Sequence, residues 1–150
     1  MSGNNQWRDG FVQKLDGLRS QWVGDFKSRV SHEVVPAFDE ISSFVAEHGF
    51  RASSPVVQPD RQSFKFEMAE NAFVLLTLSH ESIGDVLLRC EYFAPGAQPG
   101  DLVHRAQVQD ISREWATQRF QEALDAFVAA LGGGGGDKAG EPVDLELLSV

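Results

Sequence analysis

The chain has 150 residues, 42% apolar and 23% charged, the composition of one globular domain with a real core. Its net charge of −9 includes no basic stripe, so nucleic-acid backbones and anionic membranes would repel it. Cys90 is the only cysteine, which excludes an intrachain disulfide and fits the reducing cytoplasm.

The start, Met1-Ser2-Gly3-Asn4, has neither the basic nor the apolar stretch of a secretory leader. From Trp7 to His48 apolar residues recur in steps of three or four: Phe11, Leu15, Leu18, Trp22, Phe26, Val30, Val34, Phe38, Ile41 and Val45. This spacing predicts a long amphipathic helix, with Gly49 placed to end it. Pro36 interrupts it, removing one hydrogen bond and crowding the preceding turn, so a kink is expected there. A straight helix of this span would be roughly 60 Å long. A domain of this size has a radius of gyration of about 15 Å. Either the helix bends, or its first half projects and needs a partner.

Gly49, Pro55 and Pro59 punctuate a loop, with room for a short edge strand at Val56-Val57. Ser63–Met68 alternates, with Phe64, Phe66 and Met68 on one face. Ala69–Ala72 reads as a hairpin turn, Phe73–Ser79 as a strand, and His80–Asp85, with Gly84, as a second turn. Val86–Phe93 is a third strand and Leu102–Val108 a weaker fourth. No apolar run here exceeds Ala72–Leu78, which is far too short to span a bilayer. Ser112 then caps a helix over 113–131, whose apolar face carries Ala116, Phe120, Ala123, Leu124, Phe127, Val128 and Leu131. The predicted fold is α+β: a long N-terminal helix kinked near Pro36, an antiparallel meander of three to four strands, and a C-terminal helix packed on the sheet. Residues 1–131 form this single domain. Residues 132–150 are a flexible glycine-rich linker, Gly132–Gly136, and an acidic–apolar tail.

Chemistry-bearing motifs are scarce. His32-Glu33-Val34-Val35-Pro36 begins like a zincin helix, but proline stands where the second ligand belongs. The four histidines and Cys90 lack paired metal spacing, and Cys90 sits in a strand as a small core residue. The five-glycine run follows a helix and lacks the lysine and hydroxyl residue of a phosphate loop. No catalytic residue, metal ligand or cofactor is expected.

Three features point to assembly. The strand Phe73–Ser79 is apolar on both faces, with Phe73 and Leu75 on one and Val74, Leu76 and Leu78 on the other. Either a helix of the same chain covers each face, or a second subunit covers one. Gly10, Gly17, Gly24 and Ser31 recur every seven positions on one helix flank, as a close-approach seam or as an ordinary solvent-facing row. In the tail, Val143, Leu145, Leu147 and Leu148 alternate with acids in a pattern suited to docking by strand addition. The other readings are an unstructured terminus or a tail folded back on its own domain.

In size, low pI and helix–sheet–helix order the chain resembles chaperones of type III secretion effectors. The strand and helix order read here differs from theirs, so no residue role carries over. The expected function is a non-catalytic protein-interaction module, adaptor or chaperone-like, with a protein partner and a possible homodimer. The alternative is a small-molecule-binding domain, with Phe38, Phe64, Phe66 and Phe120 lining an apolar pocket between helices and sheet.

Overall fold

The structure is a computed structural model that describes residues 2–133. Helix α1, Ser2–Arg29, runs into a π-helical turn at Val30–Val34 and continues as α2, Val35–Ala46. The π turn is the physical answer to Pro36, which falls in the first turn of α2. Val35 N–H bonds back five residues to the Val30 carbonyl, so the helix widens just before the residue that cannot donate. It also keeps the apolar stripe in place. Steps of four overshoot an α-helical turn by about 40° each. Repeated from Trp22 to Phe38 they would carry the stripe far round the helix. The wider turn absorbs that drift, and Phe26, Val30, Val34 and Phe38 all remain buried.

The turn after α2 closes as expected at Gly49, whose φ of +92° suits a residue without Cβ. The Phe50 N–H reaches the Val45 carbonyl at 3.1 Å, closing a Schellman-type ending. Six strands follow: β1 Arg51–Ser53, β2 Val57–Gln58, β3 Arg61–Ala69, β4 Ala72–Ser82, β5 Asp85–Phe93 and β6 Gly100–Gln107. All pair antiparallel in the order β1-β3-β4-β5-β6, with β2 also on β3. The meander is as predicted; of the two short strands in the expected loop, β2 overlaps the edge strand allowed for at Val56-Val57, and β1 is an addition. After a 3-10 turn at Val108–Asp110, helix α3 spans Arg113–Gly133. Ser112 caps it, its hydroxyl accepting from Trp115 N–H at 3.0 Å.

The helices share one face of the sheet. Phe38 of α2 and Phe120 of α3 meet Phe64 and Phe66 of β3, and Val74, Leu76, Leu78, Leu88 and Cys90 complete the core. Met68 departs from the expected face. A register shift between Glu67 and Ala69 turns it outward, leaving it 46% exposed.

No described helix covers the opposite face, which sets aside the first of the two readings, one helix of the same chain on each face. Phe73, Leu75, Leu87 and Phe93 are half-buried there by their neighbours. Phe73 and Phe93 pack at 4.8 Å with their rings tilted, and the Lys65 ammonium lies 4.5 Å over the Phe73 ring. Arg89–Asp101 and Arg105–Glu81 ion pairs cross the same face. Long charged side chains thus shield the apolar row without a second layer.

Candidate interaction surface

The most exposed apolar surface begins with α1. Phe26 is the first buried residue of the described chain, so the helix before it stands largely clear of the body. Trp7 is 67% exposed, Phe11 51% and Leu18 47%, while Leu15 and Trp22 are half-buried. All five lie along one side of the helix by their spacing. Trp7 and Phe11 stack on each other at 5.3 Å, nearly parallel. The flank with Gly10, Gly17 and Gly24 is open: a Cβ placed at any of the three would meet nothing beyond the helix's own backbone within 4 Å.

The stripe continues onto the sheet at the β4–β5 hairpin. Its two-residue turn, Ile83-Gly84, has φ of 46° and 77°. Both positive angles suit the twist of a tight hairpin, but a β-branched side chain fits the first poorly. Ile83 is nonetheless there, 67% exposed, at the mouth of a groove of about 460 Å³ whose other wall carries Leu15, Trp22 and Val23. His80 braces the turn from within, its Nε2 accepting from Gly84 N–H at 3.1 Å. Ile83 was not singled out in the sequence. The turn read over His80–Asp85 contains it, but a span of six residues does not say which one stands at the tip.

The groups that carry most chemistry are occupied structurally. Glu33 accepts from the backbone N–H of Arg113 at 2.9 Å, at the start of α3. His32 Nδ1 lies 2.8 Å from the Ser28 carbonyl, His48 packs on Phe44, and His104 lies 3.2 Å from Glu122. Among the described residues, no three His, Cys, Asp or Glu side chains are grouped to hold a metal. Cys90 is buried, and burial pushes its thiol up to about 12, with Glu122 adding to the effect. It is therefore protonated and a poor nucleophile at neutral pH. No described helix is long and apolar enough to cross a membrane.

The family models, the curated proteins and the solved structures offer no match to this chain.

The four phenylalanines expected to line a pocket are brought together, but they fill the space. Phe38 lies 4.8 Å from Phe64, 5.3 Å from Phe66 and 5.8 Å from Phe120, ring centre to ring centre. The opening beside them is about 10 Å³, at the lower limit for a single water. Tilted and edge-on contacts among these rings add packing energy that a ligand would have to replace. The tail residues Val143, Leu145, Leu147 and Leu148 lie outside the described residues.

Proposed function

We propose that the chain is a non-catalytic protein-interaction module, adaptor or chaperone-like, that uses the projecting half of α1 as its contact surface and self-associates through it. The observation that carries this reading is the exposed stripe Trp7, Phe11 and Leu18, continued by Leu15, Trp22 and Ile83. Contiguous apolar surface of this kind is costly in water and typical of an interface. Aromatic residues at its centre are the usual anchors of binding energy.

Helix energetics support the reading. Three interior glycines each weaken a helix by about 1 kcal/mol relative to alanine. A helix without tertiary packing is marginal even with good formers. The projecting half of α1 has both handicaps, and a partner lying along the stripe removes the second.

The spacing of the stripe favours a second copy. Read in reverse, the four outer residues of the five, Trp7, Phe11, Leu18 and Trp22, reproduce their own intervals of four, seven and four, and Leu15 falls beside the symmetry centre. Two antiparallel copies related by a two-fold axis therefore set Trp7 against Trp22 of the second copy, and Phe11 against its Leu18.

The test is sedimentation of the full chain, wild type against Phe11→Asp with Leu18→Asp. The expected result is a dimer that the double variant converts to a monomer with unchanged far-UV signal from the sheet and α3. A wild-type chain that sediments as a monomer at all attainable concentrations would remove self-association from the reading.

A further inference from the structure

A second apolar surface lies away from α1, in the furrow between α2 and the C-terminal half of α3. Ile41, Phe44, Val45, Phe50, Leu124 and Val128 line it, and it encloses about 520 Å³. Phe44 is 62% exposed in its wall. We propose that residues 143–148 of the same chain occupy this furrow, with Val143, Leu145, Leu147 and Leu148 supplying the apolar side chains.

Three observations select this occupant. The first is position. The described chain ends at Gly133, five residues past Val128, which is roughly 8 Å along the helix axis. The tail therefore leaves the domain beside the end of the furrow.

The second is reach. Residues 134–142 connect Gly133 to Val143 and begin with three glycines. A glycine-rich connection of this length has a root-mean-square span of roughly 16 Å and an extended limit of about 30 Å. On α3 the furrow runs from Gln121 to Val128, roughly 10 Å along the helix axis and well within that limit, so the chain can turn back and lie along it. A segment tethered this closely faces its site at millimolar effective concentration, which a free peptide from elsewhere would have to match.

The third is pattern. Four aliphatic residues fall within six positions, separated by Asp144 and Glu146. The aliphatic side chains can enter the furrow while both carboxylates stay in water. The furrow belongs to α2 and α3, so this inference stands apart from self-association through α1.

The experiment uses the full chain with Ser149→Cys carrying a nitroxide, Cys90 being buried and protected from labelling. Amide signals of Ile41, Phe44, Leu124 and Val128 are expected to lose most of their intensity, and to regain it when Leu145→Asp and Leu147→Asp are introduced together. Loss spread evenly over the domain, loss centred on α1, or loss that survives the double variant would each overturn the proposal. Mixing labelled chain with isotope-labelled, spin-free chain separates the remaining case. Equal loss in the spin-free chain would make the occupant a second copy's tail and overturn the assignment to the same chain.

Discussion

Glu33 and Arg113 are eighty residues apart, and the carboxylate of the first accepts a 2.9 Å hydrogen bond from the backbone N–H of the second. The π turn thereby caps the C-terminal helix. Arg29 strengthens the same junction by donating to the Ile111 carbonyl at 3.2 Å. The first N–H groups of a helix have no partner within it, so an acceptor supplied from elsewhere is stabilising.

Replacing Glu33 by Ala is expected to cost about 0.5–1 kcal/mol. Ser112→Ala, which removes the local cap, should cost about 1 kcal/mol. Urea unfolding of both single variants and the double variant measures this. The two side chains serve different N–H groups, so near-additive losses are expected. A neutral Glu33→Ala would show that water replaces the carboxylate without cost.

Ile83 holds a left-handed backbone angle that its side chain disfavours. Ile83→Asn should stabilise the isolated chain by about 1 kcal/mol, because asparagine tolerates this region. If Ile83 also belongs to the contact surface, the same substitution weakens self-association. Thermal unfolding at low concentration and sedimentation at high concentration separate the two effects. A variant less stable than wild type at low concentration would mean that the side chain packs on α1 more than it strains the turn.

Phe120 touches Phe38, Phe64 and Phe66 at ring-centre distances from 5.5 to 5.9 Å. Phe120→Ala is therefore expected to cost about 3–5 kcal/mol, a large part of an ordinary domain's stability. Chemical denaturation gives the value. A loss under about 1 kcal/mol would mean that the core collapses into the space and that the rings are not tightly interlocked.

The raised Cys90 pKa has a defined sign in stability. The folded thiol keeps its proton up to about 12, whereas the ordinary value is 9.0. Above pH 9 the unfolded chain releases a proton that the folded chain retains, which favours unfolding. The contribution of Cys90 is thus complete below pH 9 and lost as pH rises from 9 towards 12, by at most about 1.4 kcal/mol per pH unit. Comparing Cys90→Ala with wild type across this range isolates it, since other alkaline groups are shared. Parallel stability curves for the two proteins would contradict the assignment.

Much of the fold could be read from spacing. Phe64 and Phe66 alternate towards the core, Ser112 caps its helix, and Gly49 ends the one before, because each depends on local geometry alone. Met68 was misplaced because a bulge adds a residue where simple alternation allows none. The strand β1 is three residues long, too short to show a period, whereas β2 was allowed for at Val56-Val57 by its place between two prolines. The steps of four from Trp22 to Phe38 already carried the imprint of the π turn, although Pro36 alone drew attention to it. The surface was harder to read. Spacing puts Phe38, Phe64, Phe66 and Phe120 on facing elements, but whether they enclose a space or fill it depends on ångström-scale separation between helix and sheet. Ile83 was hidden for a different reason, since an apolar residue beside a turn glycine resembles the end of a strand.

The strand order has a further consequence for the nascent protein. Each of the four longer strands pairs with its neighbour in the chain, so the sheet can zip up hairpin by hairpin as it leaves the ribosome. Part of the cover on its apolar face comes late, because Phe120 and Phe127 come from the last helix. Leu76 and Phe127 are about 50 residues apart, which at usual synthesis rates is roughly 3–10 s. For that interval Phe64, Phe66 and Leu76 have only the N-terminal helical segment, through Phe26, Val34 and Phe38, to shelter them, and the growing chain is most open to aggregation just before its core is closed.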